Sequence, residues 1–324
     1  MRRALLVGND NYDHMKALGA CVHDVERLAP LLYAHSDGSE NFQVEKLVSS
    51  EQPITEASLN LRIKKFFNPE VSRAEVLCFY FAGHGAYDKF ERSGYLVAQD
   101  GVEGNFGVPM ERIIGYANRA NAEHVIIILD CCHAGAIDKS FATGGLASPG
   151  EGVCILAAAR DEESAKEVRE GGVFTSLLAG AMEGGGANAV TGAVTVANLH
   201  SYVDGALGKY DQCPLFKGNI SSWCTLRKTR PHVSAAVVMS IAEIFNHPDD
   251  EFDLDPSFEP TAEPKNDGNE AIFSSLQKMR AASLVEPVGE DHMYFAAMNR
   301  KSCRLTPLGA YYWMLVHRNR FSSD

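Results

Sequence analysis

Val76-Leu77-Cys78-Phe79-Tyr80-Phe81 is an unbroken apolar run that opens into Ala82-Gly83-His84-Gly85. The same design returns at Val125-Ile126-Ile127-Ile128-Leu129, which opens into Asp130-Cys131-Cys132-His133-Ala134-Gly135. A short apolar run rich in β-branched and aromatic residues, closed by small residues, reads as a strand buried on both faces. Each of these two strands leads into a loop bearing a reactive side chain, His84 or Cys132. Glycines beside both let the backbone approach a substrate carbonyl closely.

Outward from these runs, Ala4–Val7, Val44–Val48, Tyr95–Ala98 and Val153–Ala158 read as further strands. Val22–Tyr33 carries Val25, Leu28, Leu31 and Leu32 at helical spacing, and Ile54–Phe67 carries Leu59, Ile63 and Phe66 on one side. Met110–Ala117, Phe174–Met182 and Val196–Leu207 also read as helices. Buried strands alternating with amphipathic helices predict an α/β fold, with a largely parallel sheet covered on both faces. Functional residues of such sheets gather at the C-terminal ends of the strands, so His84 and Cys132 are expected on one edge.

Composition narrows the classes. The chain has 324 residues, 45% of them hydrophobic and 22% charged, as in an ordinary globular protein. Its formal net charge of −12 makes nucleic acid a poor partner. No apolar run approaches the ~20 residues that span a bilayer, so no membrane association is expected. Met1–Gly8 resembles a secretion signal only superficially; it reads as a first buried strand, and a cytoplasmic location is expected. The eight cysteines are scattered and form no CxxC pair, so neither zinc nor a redox motif is indicated. No cofactor is expected.

Near Thr229 the pattern changes, which predicts two domains, 1–229 and 230–324. Residues 247–270 carry many acids and four prolines and read as a flexible insert. Val233–Phe245 and Ile272–Leu284 read as helices. Met293–Met298 and Ser302–Leu305 read as strands flanking the basic turn Asn299-Arg300-Lys301, and Pro307–His317 reads as a closing helix. That succession resembles a small α+β winged-helix module. DNA binding is the usual use of such a module, but from Pro231 onward 14 acids face 8 Lys and Arg, which favours a protein or small-molecule partner such as a nucleotide signal or a protein activator.

The His84 and Cys132 segments resemble the His-Gly and Asp-x-Cys-x-x-Gly motifs of the caspase-like cysteine peptidases, family C14, closest to the metacaspase and related bacterial branch. Ala4–Tyr12 (ALLVGNDNY), Gly94–Asp100 (GYLVAQD), Phe174-Thr175 and Gln212–Gly218 (QCPLFKG) resemble further segments of that family. The match runs over about residues 1–227. The resemblance implies a three-layer α/β/α caspase-hemoglobinase-like fold with a mostly parallel six-stranded sheet. It implies a cysteine-type endopeptidase with Cys132 as nucleophile, His84 as general base and acid, and the N–H groups of Gly85 and Cys132 as the oxyanion hole. Cys131 stands where metacaspases usually have Ser; as the preceding residue its side chain is expected to face away from His84. His133 sits beside the nucleophile, and a neighbour in sequence rarely attains in-line geometry, so it reads as a loop histidine.

Metacaspases line their first specificity pocket with a Cys-x-x-Asp pair and an Asp two before the nucleophile, which here are Cys21, Asp24 and Asp130. Ala82 replaces the Ser frequent in the family. Two carboxylates in a partly desolvated pocket favour a cation and reject an anion, so protein substrates with Arg or Lys at the cleaved bond are expected. Self-cleavage is expected in Ala136–Gly152 or near Arg160–Arg169. The resemblance also implies a regulated effector of bacterial stress or anti-phage responses. Calcium activates some metacaspases, but the acidic 249–255 run lacks an EF-hand pattern. Two other classes stay open: a catalytically silent caspase-fold scaffold, and a signal-sensing or DNA-binding regulator acting through the C-terminal module.

Overall fold

The computed structural model describes residues 1–70, 73–131, 148–158, 167–168, 171–207 and 214–321. The chain divides into two compact units, one of Met1–Ala187 with Ala193–Thr229, the other of Asn188–Gly192 with Arg230–Asp324.

The larger unit runs β1 (Arg2–Gly8), α1 (Cys21–Tyr33), β2 (Gln43–Val48), α2 (Glu56–Phe66), β3 (Ala74–Ala82), β4 (Gly85–Asp88), β5 (Ser93–Val102), β6 (Asn105–Pro109), α3 (Met110–Ala117), β7 (Ala122–Asp130), β8 (Val153–Ala157), β9 (Glu167–Val168), β10 (Gly171–Gly172), α4 (Val173–Gly180), β11 (Ala193–Thr195), α5 (Val196–Leu207), β12 (Leu215–Asn219) and β13 (Thr225–Lys228). Six strands form the central sheet in the order β12-β8-β7-β3-β1-β2. All neighbours are parallel except β12, which is antiparallel to β8. The apolar run at 95–98 does not join this sheet. It belongs to β5 of a separate antiparallel sheet, β4-β5-β6. The sixth central strand is instead β12, an edge strand whose half-exposed Leu-Phe-Lys-Gly-Asn sequence gives no apolar signal.

Side-chain alternation along the strands builds two cores. Leu77, Phe79 and Phe81 of β3 and Val125, Ile127 and Leu129 of β7 pack with Leu59, Ile63, Ile113 and Ile114 of α2 and α3. Val76, Cys78 and Tyr80 with Ile126 and Ile128 pack instead with Val25 and Leu28 of α1, Leu178 of α4 and Leu199 and Val203 of α5. The layers are thus helix, sheet, helix. Burying each large apolar side chain contributes about 1.5–3 kcal/mol, so these two clusters dominate the unit's stability. Helix α1 lies tight against β1: a Cβ on Gly8 would stand 2.5 Å from the Cys21 carbonyl oxygen. Ala20 offers α1 no side-chain cap. Asp10 supplies one from a distance, its carboxylate accepting from the N–H groups of Cys21 and Val22 at 2.9 and 3.1 Å.

The smaller unit has its own core, with Val190, Val238, Ile241, Phe258, Phe273, Leu276, Leu284 and Trp313 among its buried members. Its sheet is β14 (Glu251–Asp253), β16 (Ser302–Leu305) and β15 (Val285–Val288), antiparallel with β16 in the middle. Four sequence expectations are corrected here. Met293–Met298 is a helix rather than a strand, because Met293, Ala296 and Ala297 are buried at helical spacing. The hairpin partner of Ser302–Leu305 is Val285–Val288. Residues 247–270 are not a flexible insert: Phe252 joins the sheet, Leu254 and Phe258 are buried, and Asp255 caps a short helical turn by accepting from the Ser257 N–H. Acids alternate there with a few apolar residues, and average composition hides that spacing. Val233–Phe245 is two short helices, Ala235–Met239 and Ile241–Ile244.

Candidate active site

Strands β3 and β7 are neighbours, and their register ends on Ala82 opposite Asp130. The Gly83 N–H donates to the Asp130 carbonyl at 3.3 Å, extending the pairing by one step. His84 therefore leaves the β3 tip beside the β7 tip. Cys132 and His133 lie outside the described residues, as do residues 136–147, 160–166 and 169 of the segments expected to self-cleave.

His84 is fixed by contacts that the sequence reading did not find. Its Nε2 lies 2.7 Å from the Lys16 carbonyl oxygen. A carbonyl only accepts, so Nε2 carries the proton and Nδ1 is left as the basic nitrogen. The His84 N–H donates to the Tyr12 hydroxyl at 2.7 Å, and that hydroxyl donates to the Asn9 carbonyl at 3.0 Å. The Val97 N–H donates to the His84 carbonyl at 3.0 Å. The Tyr12 ring lies 4.5 Å from the imidazole, centroid to centroid. A Cβ on Gly83 would stand 2.7 Å from the Tyr12 hydroxyl, so the residue before His84 must be small. Burial pushes the Tyr12 phenol well above its ordinary value, which keeps it a neutral donor. Lys16 acts through its backbone and leaves no side-chain signal; Tyr12 closes the family-like Ala4–Tyr12 segment, but nothing in that segment assigns it a contact with His84.

Gly85 opens β4 and is buried, paired with Leu96. Cys131 is buried at 1% exposure in the cluster that includes Phe81 and Leu129, on the α2–α3 side of the sheet.

The three expected pocket residues converge on the other side. Asp24 is 2% and Asp130 8% exposed. Between them runs the backbone of Gly172: a Cβ there would stand 2.7 Å from Asp130 Oδ2 and 3.1 Å from Asp24 Oδ2. The Gly172 N–H donates to both Asp24 oxygens, at 3.2 and 3.1 Å. Burial, then the neighbouring Asp130, pushes the Asp24 carboxyl up to about 7, against the pull of the Gly172 N–H. Cys21 is buried beside them; burial and then Asp10 push its thiol well above the ordinary range, which makes it a neutral wall rather than a nucleophile. Among the described residues no group of three or more His, Cys, Asp or Glu could hold a metal ion, and no helix is long and apolar enough to cross a membrane.

The family model of the caspase domain matches residues 1–222, so the chain belongs to the caspase-domain family. The fold is caspase-like as well. Caspase-1 from Spodoptera frugiperda superposes with a TM-score of 0.52 over 71% of this chain and 91% of its own, at 14% identity. The protein GSU0716 from Geobacter sulfurreducens gives 0.52 over 71% and 97%, at 17% identity. Among curated proteins none matches the sequence.

Proposed function

We infer that this protein is a cysteine endopeptidase that cleaves proteins after Arg or Lys, with Cys132 as nucleophile and His84 as general base and acid. The observation that carries the reading is the setting of His84. Its tautomer is fixed by the Lys16 carbonyl, and it stands at the tip of the strand next to the one that continues into Cys132. In this mechanism Nδ1 takes the Cys132 thiol proton and the sulfur attacks the scissile carbonyl. The oxyanion is held by the Gly85 and Cys132 N–H groups. As the C–N bond breaks, the imidazolium returns its proton to the leaving amine, and water then hydrolyses the thioester with His84 again as base.

Asp24 and Asp130 support the specificity. Two buried carboxylates side by side repel each other, and a guanidinium or ammonium relieves that repulsion, whereas a substrate Asp adds to it. A regulated role in stress or defence, a cytoplasmic site of action and a partner for the smaller unit form part of the same reading and rest on the family resemblance and composition.

The test is a panel of fluorogenic peptides differing only in the residue before the cleaved bond. Wild type should turn over Arg and Lys peptides and Cys132→Ala none. Equal turnover of Asp peptides would remove the specificity, and an inert wild type would favour a scaffold.

A further inference from the structure

Thr175 lies in the first turn of α4 and Tyr80 in β3, and both are completely buried. The Thr175 hydroxyl donates to Asp130 Oδ2 at 2.6 Å. Tyr80 Oη lies 2.6 Å from the same Thr175 oxygen. Since the Thr175 proton is committed to the carboxylate, the Tyr80 hydroxyl is the donor of that second bond. The result is a one-way chain, Tyr80 to Thr175 to Asp130, with both links at the length of a strong O–H···O bond. Each link polarises the next.

The two pocket acids are therefore held differently. Asp24 receives a backbone N–H from Gly172. Asp130 receives a hydroxyl that is itself hydrogen-bonded, and such donation favours the charged carboxylate. Two adjacent carboxylates do not ionise with equal ease, so the better-supported one carries the charge first. The groups facing Asp24 are Asp130 from β7, Asp10 from the loop after β1, and Gly172 from β10, with Arg27 and Cys21 on its own helix. Tyr80 faces both acids from β3.

We propose that Thr175, backed by Tyr80, is a specificity-determining positioning residue: its hydroxyl keeps Asp130 the charged acid of the pocket, and so sets the preference for a cationic side chain. This rests on the peptidase reading above. Thr175 touches no reacting atom; it acts through Asp130. Tyr80 and Thr175 hold the network from two elements, β3 and α4, which fixes the carboxylate against the sheet as well as charging it.

The experiment compares Thr175→Val, which keeps the shape and removes the hydroxyl, with Thr175→Ser, which restores it, and with Tyr80→Phe. The substrates are two peptides differing only in Arg against its neutral isostere citrulline at the cleaved bond. Thr175→Val should raise KM for the Arg peptide about tenfold or more with kcat little changed, and collapse the Arg-to-citrulline ratio, because a hydrogen bond to a charged group is lost. Thr175→Ser should return the ratio to near wild type, and Tyr80→Phe should lie between. An unchanged ratio in Thr175→Val, or a fall in kcat that Ser does not rescue, overturns the proposal. A wild type that cleaves neither peptide overturns the peptidase reading instead. The proposal then stands or falls on a carboxyl 13C NMR titration, with Asp130→Asn and Asp24→Asn spectra giving the assignments. Asp130 should titrate at higher pH in Thr175→Val and Tyr80→Phe than in wild type, and an unmoved Asp130 titration contradicts it.

Discussion

The Tyr12 hydroxyl joins two backbone groups, accepting from the His84 N–H and donating to the Asn9 carbonyl. Tyr12→Phe strands both in a half-buried site, at a cost of about 1–3 kcal/mol. The expected outcome is a lower midpoint in chemical denaturation and a reduced kcat with KM unchanged. A variant with wild-type kcat would show that Tyr12 does not orient the imidazole. Asp24 gives a prediction with a definite sign. Its folded pKa of about 7 lies above the ordinary 3.8, so ionising it in the folded protein costs stability. That stability is fully present below the unfolded value and is lost as pH rises through the folded one. Asp24→Asn should therefore be more stable than wild type at pH 8, by about 2 kcal/mol, and the gap should close near pH 4. The same change should weaken selection for Arg without abolishing it, since Asp130 keeps its charge, a trade of function for stability. Denaturation curves at several pH values check the first half; a variant less stable than wild type at pH 8 would contradict it.

Among the elements, β1 and α1 set where Cys21 and Asp24 stand, because α1 carries both and packs on β1 with no room at Gly8. Gly8→Ala must push the Cys21 backbone away and carry Asp24 with it. It should cost about 1–3 kcal/mol and lower selectivity for Arg. Thermal unfolding and the Arg-to-citrulline ratio measure both effects, and a variant unchanged in each would show that α1 can shift freely. Much of this architecture was legible in the sequence, because the buried strands β3 and β7 are continuous apolar runs and α1 and α2 carry apolar residues at helical spacing. The edge strand β12 was not, since its residues are half polar. The 95–98 run was apolar but belonged to a side sheet, a distinction that pairing makes and periodicity does not. Asp24 and Asp130 were legible through a resemblance in spacing. Tyr12 and Thr175 stood in segments that resemble the family, but their contacts, and that of the Lys16 carbonyl, were not legible, since they are made far along the chain or through the backbone.

At the scale of the whole molecule, an acidic chain of net charge −12 carries a caspase-family unit and a second unit with a core of its own. The second unit shows why averaged composition misleads: Leu254 and Phe258 are buried within a stretch that reads as acidic linker. The proposed catalysis requires that Cys132, and not the buried Cys131, react beside His84. Labelling with an arginyl chloromethyl ketone, followed by peptide mass mapping, tests this most directly. One equivalent should attach to Cys132 in wild type and in Cys131→Ala, with little attachment in His84→Ala and little from the aspartyl analogue. Attachment to Cys131, none in wild type, or equal reaction with the aspartyl reagent would contradict the account.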